Sequence, residues 1–389
     1  MEKKSHAFII MTIIGVIAAI GGAIMFLVPI LIPKEALPEL SFPKIPSATA
    51  KTEYYSNLTG LKVADEAAKK APTFCVQTPN GTDGARPQAG LNQAGVVFEA
   101  IAEAGITRFA AIYQNPSSAV IGPIRSLRLY YLQWDTPFDC TIVHAGGADD
   151  AIEAVRAGGY KDLSENYVYM YRGSYGGRLW NNLFTTGAYL MQMNSDYGYG
   201  ESNVTGFARM TPDEAERARI DATVDEKLVI TEPAKGSTAA IAPKTTLIGV
   251  NFGGWATFNV VYNYDAGTNS YARSYETGVP HEVYVCPEEN LGEVNPEDSC
   301  YLSQLSPSVV VAMFVEEQKA ADNYHEDITT LGSGEAYVFQ NGVATHGRWE
   351  KNSVHEQIRF YDESGAEIRL APGQTFVEAV PRYGSIDFN

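Results

Sequence analysis

Arg108, Arg125 and Arg128 lie close together in a chain of 389 residues whose formal net charge is -17. Glu99, Glu103 and His144 flank them. Arginines gathered in an acidic protein need a counter-charge, supplied either by internal carboxylates or by an anionic ligand. Read with helical spacing, "FEAIAEAGITR" puts Glu99 and Glu103 at i and i+4 on one face. Exposed carboxylates so placed repel by roughly 0.2–0.5 kcal/mol, a penalty that a nearby arginine removes. Three chemistries fit: an ion network that only fixes the fold, a recognition pocket for an anionic or sugar ligand, and an acid/base pair. In the last, Glu99, Glu103 and His144 are the catalytic candidates, and carboxylates flanking a sugar bond stand about 5–9.5 Å apart.

The elements that must position these groups follow from "GPIRSLRLYYLQW" and "TIVHAGGADDAIEAV". Gly122 permits a turn and Pro123 suits the first position of a helix. The pattern predicts a helix over Pro123–Trp134, with Leu127, Tyr130, Tyr131 and Trp134 forming an apolar stripe. Arg125 then falls in the first turn, where the helix dipole already favours an anion, so a cation there needs compensation. His144 is placed at the end of a strand, Thr141–His144, with the backbone of Gly146 and Gly147 turned toward a ligand. "HAGG" lacks the GxGxxG and GxxxxGK[ST] spacings, so no nucleotide cofactor is implied. A histidine bonded to a neighbouring strand or carboxylate is the alternative. His281, His325, His346 and His355 show no metal-ligand spacing, and no GxSxG elbow occurs. Neither a metal nor any other cofactor is expected.

The charge balance argues against nucleic acid, whose phosphates the surface would repel. Ala7–Ile32 carries no charge and is long enough to span a bilayer as a helix. Lys3 and Lys4 precede it, which keeps residues 1–6 cytoplasmic and the bulk outside. "PKEALPELSFPKIP" follows without a small-residue cleavage site, which favours a retained signal anchor, with the lipid bilayer as partner, over a cleaved signal peptide. Residues 33–71 read as a Pro-rich stalk. Four cysteines in such a chain suggest disulfides, for which sequence alone allows three pairings. Cys286–Cys300 around a polar loop and Cys75–Cys140 between strand-like runs are favoured, against two reduced buried thiols for the second pair.

Two globular segments emerge. Residues 72–220 mix strands at Thr73–Val76, Arg108–Tyr113 and Thr141–His144 with helical patterns at Val96–Ala104, Pro123–Trp134 and Asp149–Ala157. They close on "TPDEAERARI", where Thr211 and Glu214 form a capping box. Residues 221–243 read as a connection, residues 244–383 as a run of strands with hairpin turns, and residues 384–389 as a tail. The expected fold class is α+β: an N-terminal transmembrane helix, a first domain in which the helices are concentrated and a mainly antiparallel β second domain.

"ARPQAGLNQAGVVFEAIAEAGITRFAAIYQ", "IGPIRSLRLYYLQW" and "FDCTIVHAGG" resemble the first domain of the YerB-like proteins. "YNYDAGTNSYARSYETGVPH" and "GEAYVFQNGVATHGRWEKN" with the segment ending "FVEAVP" resemble the second. The resemblance implies an extracytoplasmic, membrane-attached protein with a layered α/β-sandwich-like first domain; members are often described as lipoproteins, whereas this chain has no lipidation cysteine after its apolar run. It singles out Arg86, Glu99, Glu103, Thr107, Arg108, Arg125, Ser126, Arg128, His144, Gly146 and Gly147, with Tyr271, Arg273 and His281 from the second domain, and brings no catalytic assignment. The leading expectation is a single-pass envelope protein that binds an anionic or glycan ligand, such as a wall polymer. An envelope hydrolase or transferase using Glu99 or Glu103 with His144 is the alternative, and a structural or partner-docking module for another envelope protein is the third.

Overall fold

Strands buried on both faces show no alternation of apolar and polar residues, and the centre of this protein is built from several of them. The computed structural model of the chain describes residues 52–173, 179–219, 245–287 and 295–389. The expected membrane anchor, residues 33–51 of the stalk and the connection 221–243 lie outside the described residues. Among those described, no helix is long and apolar enough to cross a membrane.

The first half supplies β1 (Thr73–Pro79), β2 (Val96–Glu103), β3 (Ile106–Gln114), β4 (Thr141–His144) and β5 (Asp162–Ser164). The second half supplies β6 (Leu247–Asn251), β7 (Val260–Asp265), β8 (Ser270–Tyr275), β9 (Val309–Val315), β10 (Gly332–Gln340), β11 (Val343–Lys351), β12 (Arg359–Asp362), β13 (Thr375–Pro381) and β14 (Ser385–Phe388). Ten of these make one mixed sheet in the order β12-β11-β10-β9-β13-β2-β3-β1-β4-β5. The two sequence segments meet inside it, where β13 runs parallel to β2 and sets Glu378 beside Glu99. The fold is therefore mainly β with few helices, and its largest layer is shared between the two halves rather than divided into a sandwich and a separate β domain.

Helix α1 (Leu129–Asp135) and helix α2 (Asp149–Gly158) pack one face of the sheet through Tyr130, Tyr131, Trp134, Ala151 and Val155, against Phe98, Ala100 and Ala110. On the other face Val97, Ile101 and Phe109 meet a four-stranded sheet, β8-β7-β6-β14, and helix α3 (Gly187–Asp196). The expected tail is thus a strand, because Ser385–Phe388 completes the ladder of β6. The distal stalk is folded as well. Tyr54–Tyr55 pairs with Lys62–Val63, a helical turn Glu66–Lys69 follows, and Leu58 between the strands is buried in the main core.

Two expected helices are corrected. Val96–Ala104 is strand β2, held between β13 and β3 with every residue of Val96–Glu103 buried. Its continuous apolar and alanine content hides the two-residue period of a strand. The helix expected from Pro123 begins only at Leu129, because the backbone before it is bonded elsewhere. Ile124 N–H donates to Leu183, Arg125 N–H to Gln77 and Leu127 N–H to Gly146; the first helical bond runs from Leu132 to Arg128 at 3.1 Å. Asp149–Ala157 and the Thr211/Glu214 capping box form as expected, the latter heading a helix over 212–219. Both favoured disulfides are present, Cys75–Cys140 joining β1 to the start of β4 and Cys286–Cys300 closing a loop.

Candidate functional site

Strand β2 carries an irregularity between Ile101 and Glu103, and that irregularity decides the site. In an even strand, residues four apart share a face. Here the register slips by one residue, so Glu99 faces the second sheet while Glu103 joins the side of Phe98 and Ala100. The pair expected on one face is separated into two networks.

On the helical side, Glu103 is gripped by two arginines. Its Oε1 accepts from Arg108 Nη2 and its Oε2 from Arg128 Nη2, both at 2.6 Å. Arg108 also donates to the Ser126 carbonyl at 2.8 Å, and all three ionic side chains are buried. Burial would raise the Glu103 pKa, but Arg108 and Arg128 outweigh it and hold the carboxyl below the usual range. Arg128, not Arg125, stands at the start of α1, so the compensating anion that a cation needs there is Glu103. Arg125 is half-buried and makes no side-chain hydrogen bond or ion pair among the described residues.

On the other face, Glu99 is fully enclosed. It pairs with Arg273 and accepts from Thr107 Oγ1 at 2.5 Å and from Asn80 Nδ2 at 3.0 Å. Arg273 donates to His281 Nδ1 and, at 3.0 Å, to Tyr262 Oη, which in turn donates to Glu378. His281 Nε2 meets Gln88 Oε1 at 3.0 Å. Burial, then Arg273 and Arg86, push the His281 pKa well down, so it is a neutral acceptor for Arg273. Burial and the adjacent Glu99 push Glu378 well above the usual carboxylate range, leaving Arg273 one anion to balance. Arg86 lies over the Tyr275 ring at 3.7 Å and donates to Asn80 Oδ1 at 2.8 Å. This network ties the two halves of the chain together across the sheet interface.

His144 belongs to neither network. Its Nε2 lies 2.8 Å from Asp162 Oδ1 and its Nδ1 2.7 Å from the Gly146 carbonyl, beside a separate depression between α2 and β5. Gly146 and Gly147 line that depression, and the turn is pinned to the segment before α1. Ala145 N–H donates to Arg125, the Gly146 carbonyl accepts from Leu127, Gly147 bridges Leu127, and Ser126 Oγ donates to the Ala145 carbonyl. Tyr271 is a core residue whose hydroxyl accepts from Gly342 N–H at 3.1 Å.

The two networks reach opposite flanks of one cleft of about 940 Å³ at the β2–β3 end of the large sheet. Glu103, Thr107, Arg108 and Arg125 line it from the sites singled out in the sequence. The loop after β1 adds Asn80 and Asp83. Trp180, Trp255 and Tyr324 add aromatic walls that are 46%, 67% and 57% exposed. Sequence reasoning missed these last five residues. The available signals were the Asn-Gly turn that ends β1 and a tryptophan in the Gly-rich turn "FGGWAT", where a large apolar side chain has little core to enter. Both indoles are fixed by their N–H groups, Trp180 to Asp83 Oδ2 at 2.9 Å and Trp255 to the Ala104 carbonyl at 3.0 Å. Among the described residues, no group of three or more His, Cys, Asp or Glu side chains could hold a metal ion.

Chemically the cleft offers the guanidiniums of Arg108 and Arg125 and the carboxylates of Glu103 and Asp83, with Glu103 already held by Arg108 and Arg128, together with fixed aromatic faces. The expected acid/base set is not assembled: Glu99 is sealed in the core, Glu103 is held ionised between two arginines, and His144 opens elsewhere.

The comparisons agree with this architecture. Residues 58–200 match the model for the N-terminal domain of a protein of unknown function (DUF3048), and residues 248–377 match its C-terminal domain. A Bacillus subtilis (strain 168) protein named "Putative lipoprotein YerB" is 26% identical over 328 residues, covering 83% of this chain and 85% of that protein. The crystal structure of the YerB protein from Bacillus subtilis superposes with a TM-score of 0.65 at 21% identity, covering 86% of this chain and 99% of that one. With the N-terminal and the C-terminal domain both matched in order, the chain belongs to the YerB-like family.

Proposed function

We propose that this protein is held at the outer face of a cell membrane and uses the arginine cleft to bind an acidic glycan of the envelope. The observation that carries the reading is Arg125. It lines the cleft half-buried with no carboxylate bonded to it, beside a triad in which two further arginines share the single anion Glu103. Internal pairing explains Arg108 and Arg128 and leaves Arg125 for something else. A guanidinium binds carboxylate or phosphate in two-point contacts, and the exposed rings of Trp180 and Trp255 suit the apolar face of a sugar. The placement outside the membrane draws on the uncharged run Ala7–Ile32 behind Lys3 and Lys4, and on the lipoprotein name of the relative.

The test is calorimetric titration of the full-length chain in detergent micelles with a hyaluronan tetrasaccharide, which carries uronate carboxylates, and with an uncharged cello-tetraose. Binding of the acidic sugar alone is expected, weakening with salt as an ionic contact should. Arg125→Ala is expected to lower that affinity at least tenfold while leaving the melting temperature near wild type. Equal binding of the two sugars, or an Arg125→Ala variant with unchanged affinity, overturns the reading.

A further inference from the structure

Arg125 is half-buried and has no side-chain hydrogen bond or ion pair among the described residues, so its backbone sets its place in the cleft. That backbone belongs to no helix or strand. Arg125 N–H donates to the Gln77 carbonyl of β1 at 2.8 Å, and the Arg125 carbonyl accepts from Ala145 N–H at 3.0 Å. Two residues on, Leu127 N–H donates to the Gly146 carbonyl at 3.0 Å, and the Leu127 carbonyl accepts from Ala148 N–H at 3.1 Å. The segment is thus laid parallel to the turn at 145–148, with Leu127 opposite Gly147.

His144 holds that turn from behind. Its ring is 1% exposed, and Nδ1 lies 2.7 Å from the Gly146 carbonyl oxygen, the same atom that takes Leu127 N–H. A carbonyl can only accept, so Nδ1 carries the hydrogen. Nε2 lies 2.8 Å from Asp162 Oδ1, so the ring ties the turn to β5, the edge strand of the large sheet. The two glycines let the chains meet. Gly146 has a φ of +67°, in the left-handed region, and a Cβ on Gly147 would stand 3.1 Å from the Leu127 carbonyl oxygen. "HAGG" is a clamp: the histidine supplies a donor and the glycines supply the tight turn and the close approach.

We infer that His144 is a positioning residue for the arginine cleft, fixing the segment 125–127 through the Gly146 carbonyl and with it the guanidinium of Arg125. The inference rests on the reading of Arg125 given above and adds what holds that residue in place. His144 lines the separate depression with Asp162 and no part of the cleft, so it acts without touching a ligand bound there.

Two substitutions separate the two bonds of the ring. The amide of His144→Asn reaches as far as Nδ1 and keeps a donor for Gly146. That of His144→Gln reaches as far as Nε2 and keeps only the contact with Asp162. Both lose the packing of the ring and are expected to melt below wild type. Amide hydrogen exchange of the full-length chain in micelles is expected to quicken at Leu127 and Ala148 in His144→Gln alone, by about fivefold, the worth of one ordinary hydrogen bond. Affinity for the hyaluronan tetrasaccharide is expected to fall by about the same factor in His144→Gln and to stay at the wild-type value in His144→Asn. In an Arg125→Ala background, His144→Gln is expected to cost no further affinity, because its effect runs through Arg125. Equal exchange at Leu127 and Ala148 in the two variants, or an affinity loss that adds to that of Arg125→Ala, overturns the positioning role and leaves the arginine cleft standing. A wild-type chain that does not bind the tetrasaccharide overturns the acidic-glycan reading instead, and the exchange comparison then decides by itself whether His144 holds the segment.

Discussion

Replacing Glu103 by glutamine tests whether the arginine cluster is held by one anion. In the native chain each Glu103 oxygen takes a guanidinium at 2.6 Å. A glutamine of the same shape can accept from only one of them and turns its amide N–H groups toward the other. Arg108 and Arg128, 2% and 4% exposed, would then face each other across a neutral side chain. Breaking a buried pair by removing one partner costs about 3–5 kcal/mol, because the remaining charge stays desolvated. At about 2 °C per kcal/mol, the low end for large domains, the melting temperature of Glu103→Gln should fall about 6–10 °C. Arg125→Ala removes no ion pair and should stay within about 1 kcal/mol of wild type. The pH dependence has a fixed sign. The folded-state pKa of Glu103 is depressed, so its contribution is complete above the usual glutamate range and is lost as pH falls through the folded value. Glu103→Gln should flatten the stability curve in that acidic window. Chemical denaturation of the full-length chain between pH 3 and pH 8 measures all of this. A Glu103→Gln variant within about 1 kcal/mol of wild type at pH 7, or an Arg125→Ala variant that loses as much, would refute the reasoning.

Further outcomes follow from the other networks. Glu99→Gln should cost about 3–5 kcal/mol by stranding Arg273, whereas Glu378→Gln should stay within about 1 kcal/mol because that carboxyl is already neutral. Since the Glu378 pKa is raised in the fold, wild type should lose stability as pH climbs above the usual glutamate range and Glu378→Gln should not; similar costs for the two substitutions would contradict the assignment of charge. The disulfides enclose sequence separations of 65 and 14 residues, which by loop entropy correspond to about 4 and about 3 kcal/mol. Denaturation of the paired Cys→Ala variants checks both, and free thiols in non-reducing peptide maps of envelope material would exclude the bridges. For topology, protease treatment of intact cells should remove a tag placed after Asn389 and spare one at Met1; protection of the C-terminal tag would place the cleft on the wrong side for an envelope ligand.

Much of the fold was legible in local chemistry. The hairpins of the second half announce themselves by β-branched and aromatic runs around Asn341-Gly342 and Ser364-Gly365, and the capping box at Thr211 needs only four residues. The disulfide partners follow from where apolar runs and turn-forming loops place the thiols. What was not legible is long-range. Nothing local in "TFVEAVP" says that β13 will lie beside β2, and with that pairing absent Val96–Ala104 presents helical spacing as readily as strand. The segment from Gly122 to Leu127 likewise has a helix-like sequence, and only its bonds to Gln77, Gly146 and Leu183 keep it extended.

The largest consequence comes from a single residue of register. Had β2 continued evenly, Glu103 would have followed Glu99 into the face that holds Arg273, His281 and Glu378, adding a third carboxyl to a network where burial already keeps one of two neutral. Arg108 and Arg128 would then have lacked an internal anion on the helical side. The slip between Ile101 and Glu103 moves one negative charge from a place that cannot accept it to a place that needs it. It also stops one charge short: three arginines converge at the strand end and only two of them find Glu103. That remainder, carried by Arg125 on the wall of an aromatic-lined cleft, is a property of the strand irregularity and not of any motif, which is why the arginine spacing alone could raise the question of a counter-ion but not say which arginine would be left to a ligand.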